Sequence, residues 1–286
     1  MFFPNRIKWA LRKATLPLGR DALVLDVGSG GTPYPRSDVL IDRLEGAEHR
    51  CGQPMLIDRP TVFGDATKLP FKDKSFDYVI ASHILEHMAD PAKFLNEIQR
   101  VGKAGYIETP NFLYERLNPF EIHCLEIASV NGVLHIHKKS QHIEDAFLGG
   151  LKFLESNLSW KNLFFRRPEM FHVRYYWSGK IDYKIYNPLT SADWIEDVVQ
   201  KSNSNEATGN YLKRDYRWRR FGLFLLGKFE AVRRNRRLKD FHIESVLACP
   251  ECKGELHKKN TFYCCEICDL LWAANPHPNF CSVLNK

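Results

Sequence analysis

The sequence contains no long apolar run and no export signal. Its 286 residues include no stretch of about 18 or more uncharged apolar residues, so we expect no membrane-spanning helix. Residues 1–20 lack the charged leader and long apolar core of a secretory signal. We therefore expect a cytoplasmic protein, either free or peripheral to the inner face of the membrane.

Two glycine signatures of nucleotide-binding enzymes are incomplete. The glycine loop at residues 28–31 has no Gly-Lys-Ser/Thr after it, which disfavours a phosphate-binding P-loop. Pro33 occupies the position of the third glycine in a Gly-x-Gly-x-x-Gly fingerprint, which disfavours a hydride-transfer enzyme. The glycine loop must therefore serve another ligand or form only a tight turn.

Five short apolar runs lie between residues 23 and 111, and each ends in glycine, aspartate or another small polar residue. They are residues 23–31 (LVLDVGSGG), 38–43 (DVLIDR), 64–71 (GDATKLPF), 75–88 (SFDYVIASHILEHM) and 105–111 (GYIETPN). Short apolar runs are typical of parallel strands buried on both faces. Open α/β sheets place their ligand groups at the carboxyl ends of such strands. The sequence therefore predicts an α/β fold with a ligand site at that edge.

In their order, these motifs resemble those of a class I S-adenosylmethionine (SAM)-dependent methyltransferase of the type 11 group. Motif I corresponds to residues 26–31, the adenine segment to residues 64–66, and the fourth strand with its loop to residues 76–87. The resemblance implies a Rossmann-like sheet, SAM as the cofactor and methyl transfer as the activity. It also implies the cofactor-binding residues, which are Asp26, Gly28, Ser29, Gly30, Asp42, Asp65, Ala66 and Ser82.

The chemistry of these positions agrees with that expectation. Gly28 and Gly30 can adopt positive φ and let the backbone approach a ligand closely. The Asp42 carboxylate can accept two hydrogen bonds from a ribose diol. Asp65 can accept one from an exocyclic amino group.

The segment after the glycine loop departs from the family pattern. Only residues 32–37 separate it from the second strand, whereas a parallel crossover usually takes about a dozen residues and often a helix. Pro33 and Pro35 oppose a regular helix there. We therefore predict that the usual first helix is absent, very short or replaced by a loop.

A later helix has clear start and stop signals. Asp90 is a good N-cap and Pro91 suits the first helical position. Apolar residues at helical spacing follow and should face the sheet. Residues 102–105 (GKAG) are expected to end this helix before a strand at residues 106–109.

Three residues at the ends of the fourth and fifth strands are candidates for catalysis: His83, His87 and Glu108. A histidine beside a reactive oxygen can take its proton as the methyl group arrives. Alternatively, the histidines orient the loop or cap the next helix, and Glu108 is a sheet-end carboxylate. Because Ser82-His83 stands where amino-group methyltransferases carry Asn-Pro-Pro-Tyr, we expect an oxygen or carbon acceptor.

Residues 112–200 are rich in aromatic residues and histidine, and we interpret them as an insertion that covers the substrate. Asn131-Gly132 between apolar runs predicts a hairpin over residues 121–139. Residues 171–177 and 181–186 predict a second hairpin. His123, His135, His137 and His142 are candidate metal ligands. Because His135 and His137 alternate on one face of a strand with no matching carboxylate pair, we interpret these histidines as solvated or core residues instead.

A strongly basic segment follows the polar residues 201–210, which we interpret as a linker. Residues 213–239 hold eleven Lys or Arg against Asp215 and Glu230, a net charge of +9 around an apolar centre. This pattern fits a helix at an anionic membrane surface or a phosphate-contacting arm on RNA. The alternative is a connector whose apolar side packs on the first domain while its charges are solvated.

The tail contains two Cys-x-x-Cys pairs. Cys249 and Cys252 are followed after twelve residues by Cys265 and Cys268, a spacing that supplies four thiolates for tetrahedral Zn²⁺. Cys264 competes with its neighbour, but only Cys265 has the correct spacing to Cys268. Disulfides are the alternative. The segment resembles the zinc ribbon of the activator subunit of tRNA and protein methyltransferases, which implies a protein partner, although its ending departs from that pattern.

The sequence thus predicts three units. Residues 1–200 form a SAM-methyltransferase domain with a β-hairpin insertion, residues 201–240 a linker and basic connector, and residues 241–286 a small zinc ribbon. The expected function is methyl transfer to a small-molecule or lipid-linked glycan-type acceptor, with residues 211–240 at an anionic membrane surface. RNA methylation is the alternative among enzymes, and a non-catalytic SAM-fold subunit that binds a protein partner is the alternative outside them.

Overall fold

The computed structural model describes residues 12–43, 54–142, 163, 167–202 and 217–284. Most of the predicted linker and part of the insertion lie outside the described residues. Twelve strands are described: β1 Val24–Val27, β2 Val39–Asp42, β3 Thr61–Phe63, β4 Phe76–Ser82, β5 Gly102–Pro110, β6 Leu125–Val130, β7 Val133–Lys138, β8 His172–Ser178, β9 Tyr183–Ile185, β10 His257–Lys259, β11 Phe262–Cys265 and β12 Leu270–Ala273. The α-helices are α1 Pro91–Val101, α2 Phe112–Leu117, α3 Trp194–Ser202 and α4 Arg217–Arg237. Single 3₁₀ turns occur at Leu85–His87, Pro168–Met170 and Ile243–Ser245.

The central sheet has six strands in the order β3-β2-β1-β4-β5-β8. Strands β1 to β5 are parallel, and β8 is antiparallel to β5. The chain order reverses between β1 and β4, and open α/β sheets bind ligands outside the carboxyl ends of strands at such a point. The predicted mixed α/β fold with a central sheet is confirmed.

The crossover from β1 to β2 contains no helix among the described residues, as predicted. Hydrogen bonds hold it instead: the Tyr34 amide donates to Asp26 Oδ2 at 2.8 Å. The buried guanidinium of Arg59 donates to the carbonyl oxygens of Tyr34 and Ser37 at 3.1 and 2.9 Å. The loop is therefore shaped by side chains beneath it, without the support of a helix.

Helix α1 begins as predicted, with the Asp90 side chain accepting from the Lys93 amide and Pro91 in the first turn. The helix ends before residues 102–105, as predicted, but the predicted start of the next strand at residue 106 is wrong, because β5 starts at Gly102 directly after the helix. A Cβ at Gly105 would lie 2.4 Å from the Val79 carbonyl oxygen and 2.7 Å from the Trp177 ring. The glycine thus permits close strand packing and does not mark a turn.

The insertion forms a second sheet in the order β6-β7-β9. The hairpin of β6 and β7 is confirmed, with its turn at Asn131-Gly132. The second predicted hairpin is wrong: β8 pairs with β5, whereas β9 pairs in parallel with β7. The long open edge of β5 offers β8 a seven-residue register that buries its alternate side chains, Val173, Tyr175 and Trp177. A short hairpin with the three-residue β9 would bury much less apolar surface.

The C-terminal module is built on a third sheet, β10-β11-β12, and packs against the central sheet. Phe63 on β3 exchanges backbone hydrogen bonds with the tail, accepting from the Phe280 amide and donating to the Pro278 carbonyl, both at 2.8 Å. Lys253 Nζ lies 2.9 Å from Glu97 Oε2 on α1. The module thereby covers the β3 edge and the loop after it.

Helix α4 presents its charged residues to the first domain. Glu230 and Arg234 are buried, and Arg237 Nη2 lies 2.6 Å from the buried Asp38 Oδ1. Four of the apolar side chains described for this helix, Phe224, Leu225, Phe229 and Val232, are exposed, and Leu226 is partly buried. The alternative of a connector whose charges are simply solvated is therefore wrong, since buried Asp38 pairs with Arg237 of this helix. No helix in the described ranges is long and apolar enough to cross a bilayer.

Candidate functional site

A cavity of about 460 Å³ opens at the carboxyl ends of β1, β2 and β4. Five of the eight predicted cofactor residues line it: Gly28, Gly30, Asp42, Asp65 and Ala66. The candidate catalytic residues His83 and His87 line it as well, together with Ile84 and Ile122. The structure thus brings residues from separate motifs to one cavity, at the edge that the sequence predicts.

The glycine loop has the geometry for which glycine is required. Gly28 and Gly30 have φ of +68° and +54°, values that side chains with a Cβ rarely adopt. A Cβ at Gly28 would lie 2.6 Å from Ile84 Cδ1. The Gly30 amide donates to Asp42 Oδ2 at 3.0 Å, so the loop and the predicted ribose carboxylate are held together.

Asp65 stabilises its own turn. Its Oδ1 accepts from the Thr67 amide at 2.7 Å and from the Thr67 hydroxyl at 2.8 Å. The carboxylate is thereby oriented at the cavity wall beside Ala66. In this orientation it retains a second oxygen that can accept from an amino group.

The other three predicted cofactor residues lie outside the cavity lining. Asp26 is buried beneath the loop, where burial raises the pKa of its carboxyl to about 6 although the Tyr34 amide donates to it. The Ser29 hydroxyl is buried and has no hydrogen-bond partner in the described part of the chain. Ser82 ends β4, opposite Glu108 in the parallel register. Asp26 thus supports the loop, and any contact of these three with a cofactor stays a prediction.

His83 lies between two carboxylates at the end of β4. Its φ is +56°, and its amide donates to the Glu108 carbonyl oxygen at 2.7 Å. Its ring nitrogens lie 3.3 Å from Glu86 Oε1 and 3.4 Å from Glu108 Oε1. Burial alone would lower the pKa of His83, but the two carboxylates outweigh it and raise the pKa to about 9. A protonated imidazole cannot accept a further proton, so this state favours an orienting or hydrogen-bond-donating role.

Glu108 is fully buried and already ion-paired. The Arg12 guanidinium donates to both carboxylate oxygens, with Nε at 2.8 Å from Oε2 and Nη2 at 3.1 Å from Oε1. The Tyr106 hydroxyl also donates to it. Burial would raise the pKa of Glu108, but His83 and Arg12 hold it below its usual range. Glu108 is therefore a weak base, and it lies outside the cavity lining.

Arg12 is a site residue that our sequence analysis missed. It precedes Glu108 by 96 residues, and no motif surrounds it. An unpaired carboxylate in a buried strand does require a cation, so the need for a partner was visible in the sequence, whereas its identity was not.

His87 is neutral at pH 7. Burial, followed by the neighbouring His123, lowers its pKa to about 4. Its Nδ1 donates to the Ile122 carbonyl oxygen at 2.6 Å, which leaves Nε2 as the nitrogen with a lone pair. His87 can therefore accept a hydrogen bond or bind a metal ion through Nε2, whereas its low pKa makes it a weak base.

The four predicted metal-ligating cysteines come together in the C-terminal module. The sulfurs of Cys249, Cys252, Cys265 and Cys268 all lie within 4.8 Å of one another. The Cys252–Cys265 and Cys249–Cys268 separations are 3.5 and 4.0 Å. Thiolates on one tetrahedral zinc at about 2.3 Å lie about 3.8 Å apart, so the donor set fits Zn²⁺.

Cys264 does not belong to this cluster. Its sulfur donates to the His257 carbonyl oxygen at 3.3 Å, on the other side of β11. All described cysteines are free. Sulfur separations of 3.5 Å and more are also far longer than the roughly 2.05 Å of a disulfide.

Residues 38–107, about a quarter of the chain, match the family described as "Methyltransferase domain". A demethylmenaquinone methyltransferase of Roseiflexus sp. is 43% identical over 58 residues, which cover 20% of this chain and 24% of that protein. The enzyme of that name in Renibacterium salmoninarum is 35% identical over 104 residues, with coverages of 34% and 44%. The chain thus spans less than half the length of these curated relatives.

Among solved structures, a complex of the Haloferax volcanii Trm112 methyltransferase activator with a putative methyltransferase is similar to this chain. The identity is 19%, the coverages are 61% of this chain and 89% of that one, and the TM-score is 0.38. A SAM-dependent methyltransferase from Methanosarcina mazei has 21% identity, coverages of 41% and 73%, and a TM-score of 0.30. The family match supports a class I SAM-dependent methyltransferase.

Proposed function

We propose that the protein transfers a methyl group from SAM to a small-molecule or lipid-linked glycan-type acceptor, at oxygen or carbon. The observation that carries this proposal is the cavity at the switch point of the sheet, lined by Gly28, Gly30, Asp42 and Asp65. Asp42, Asp65 and most other lining residues lie within residues 38–107, which match the methyltransferase family, and Gly28 and Gly30 precede that segment. Asp42 would hold the ribose hydroxyls, and Asp65 the adenine amino group.

The acceptor would enter beside His83 and His87. SAM supplies an electrophilic methyl group on its sulfonium, so the protein mainly has to position the acceptor. The cationic His83, half-exposed at the wall, places positive charge beside the acceptor, while Glu86 and Glu108 hold its ring through both of its nitrogens. Glu108 acts by orienting His83, and His87 is also a weak base because burial lowers its pKa to about 4.

The C-terminal module would be a zinc ribbon with a structural role. Four thiolates and no open ligand position are typical of structural rather than catalytic zinc. The module covers β3, next to the residues that would bind adenine. A protein partner could bind its outer surface, as the resemblance to the activator subunit implies.

Helix α4 favours a membrane surface over RNA as the location of the acceptor. Its exposed apolar side chains are accompanied by cations, with Lys228 Nζ 5.5 Å from the Phe224 ring and Arg233 Cζ 4.3 Å from the Phe229 ring. Apolar residues bordered by basic ones are typical of interfacial helices on anionic lipid. A phosphate-binding arm needs cations but has no use for four exposed apolar side chains.

Binding of SAM tests the first step. We expect Asp42→Ala to weaken SAM affinity at least tenfold in isothermal titration, since hydrogen bonds to a charged group contribute about 1.5–3 kcal/mol. Asp73→Ala is the matched control, because this carboxylate is exposed and lies outside the cavity lining. A folded protein without SAM affinity would overturn the enzyme proposal and favour the non-catalytic subunit.

Label transfer from methyl-labelled SAM into a fractionated cell extract tests the acceptor. Label in the lipid or glycan fraction is the expected result, whereas label in RNA would establish the alternative enzyme class.

The membrane contact is tested separately by co-sedimentation with anionic liposomes. Phe229→Ser should reduce binding, and Leu189→Ser, which changes a 99% exposed leucine elsewhere, should not.

A further inference from the structure

A second group of metal-ligand side chains lies at the SAM cavity, apart from the cysteines. Glu86 and His87 belong to the 3₁₀ turn after β4, and His123 precedes β6. One ligand atom of each lies within 4.8 Å of the other two. Two imidazoles and one carboxylate form a donor set that binds divalent transition metals.

Hydrogen bonds at Nδ1 determine the tautomer of both imidazoles. His87 Nδ1 donates to the Ile122 carbonyl oxygen at 2.6 Å. His123 Nδ1 donates to Glu115 Oε2, also at 2.6 Å. In each ring, Nε2 therefore carries the lone pair that a metal would use. Metal-bound histidines generally make such an outer hydrogen bond to a carbonyl or carboxylate.

The partner of His123 is itself held rigidly. Glu115 is buried, and its other oxygen lies 2.7 Å from Lys139 Nζ. Lys139 is buried too, so the carboxylate is anchored from both sides. His123 consequently has a defined orientation before any ligand arrives.

Glu86 provides an independent observation that points to a ligand. It is 1% exposed, and its Oε2 accepts from the Thr109 hydroxyl at 2.9 Å. Its Oε1 is buried without a hydrogen bond in the described part of the chain, and His83 Nδ1 at 3.3 Å forms an ion pair only. A buried carboxylate oxygen without a hydrogen bond is costly. The His83 cation offsets part of that cost, and a metal ion shared with His87 and His123 would offset the remainder.

We propose that Glu86, His87 and His123 bind a divalent transition-metal ion such as Zn²⁺ at the wall of the SAM cavity. Three protein ligands leave a coordination position open, as in catalytic metal sites. His87 and Ile122 line the cavity, so this position faces the space for the acceptor.

The proposal deepens the proposed function, and its mechanistic part rests on it. The open position takes a hydroxyl oxygen of the acceptor, and the metal favours loss of the hydroxyl proton to solvent. The C–S bond of SAM breaks as the C–O bond forms, and S-adenosylhomocysteine leaves. The acceptor class is therefore a hydroxyl compound able to ligate a metal.

Titration of the tag-free full chain with Co²⁺, without SAM, tests the site. Co²⁺ that enters the four cysteines gives a thiolate charge-transfer band. Beyond that, we expect one further Co²⁺ to bind with d–d absorption and no increase in the thiolate band, which distinguishes it from metal at the cysteines. His123→Ala and Glu86→Gln should weaken this event at least tenfold. His137→Ala is the matched control, because this exposed histidine lies in the hairpin, and it should leave the affinity unchanged.

The absence of a thiolate-free Co²⁺ event in the wild type would overturn the site, as would unchanged affinity in both variants. Glu86→Gln is nearly isosteric with the wild type. If His123→Ala fails to fold, the Co²⁺ affinity of Glu86→Gln therefore decides whether the metal site exists. SAM affinity measured on the same protein separates the two proposals. Co²⁺ binding without SAM affinity supports the metal site and overturns the proposed function, whereas SAM affinity without Co²⁺ binding overturns the metal site alone.

Discussion

The cysteine cluster of the C-terminal module and the charged cluster of Arg12, His83, Tyr106 and Glu108 assemble in opposite ways. The four cysteine sulfurs come from one short segment and lie within 4.8 Å of one another. The charged cluster unites chain segments up to 96 residues apart. Local spacing therefore determines the first cluster, whereas only complete folding of the sheet produces the second.

The two clusters also differ in their source of positive charge. Cysteine thiolates require a metal ion to offset their mutual repulsion, and such sites couple metal binding to folding. Glu108 has its cations within the protein, in Arg12 and the protonated His83. We therefore expect the first cluster to respond to loss of metal and the second to loss of a single side chain.

The largest expected effect is that of Cys265→Ser on the C-terminal module. Structural zinc contributes apparent binding free energies of about 10–16 kcal/mol in zinc-finger peptides. We expect loss of the bound metal, by elemental analysis, and faster amide hydrogen exchange over residues 249–273. Cys264→Ser is the matched control and should keep the metal, because its sulfur bonds to the His257 carbonyl instead. Equal metal contents in the two variants would contradict a four-cysteine site.

Arg12→Ala should have the next largest effect, on the charged cluster. Removing one partner of a buried ion pair costs about 3–5 kcal/mol, because it leaves the other charge uncompensated. Urea unfolding would measure this loss. Lys103→Ala is the control, since this exposed lysine pairs with Asp77 at the surface and should change stability by about 1 kcal/mol or less. If both variants lose the same stability, the charged cluster does not stabilise the fold.

The smallest effect concerns pH and sharpens the role of His83. The pKa of His83 is raised to about 9 in the folded protein, against about 6.5 in an unfolded chain. Its stabilising contribution is complete below pH of about 6.5 and is lost as pH rises through about 9. Because the side chain is 43% exposed, we expect a loss of about 1 kcal/mol.

His83→Gln should remove that part of the pH dependence, and the difference between wild type and variant isolates it from other titrating groups. The measurement is the free energy of unfolding in urea at several pH values between about 6.5 and 9. If the two proteins show parallel profiles of stability against pH, His83 is neutral in the folded state. That result would again favour the hypothesis that His83 acts as a general base.

The sequence located the elements that depend on near neighbours. The buried strands β1 to β4 and the start of α1 are determined by apolar runs and capping residues within a few positions of each other. The same holds for Gly28 and Gly30, whose positive φ values are local requirements of the turn. The errors occur where competition between distant partners decides the outcome. Strand β8 pairs with β5 because pairing at that edge buries more apolar surface than a hairpin with β9 would.

By itself, the sequence determined the strand core, the glycine loop and the choice of Cys265 over Cys264, since each follows from spacing along a short segment. Only the tertiary structure paired Arg12 with Glu108, left four apolar side chains of α4 exposed and placed His123 beside Glu86 and His87. These contacts join residues far apart in the chain. Buried charges are paired wherever the fold supplies a partner, and sequence distance carries no signal of where that partner lies.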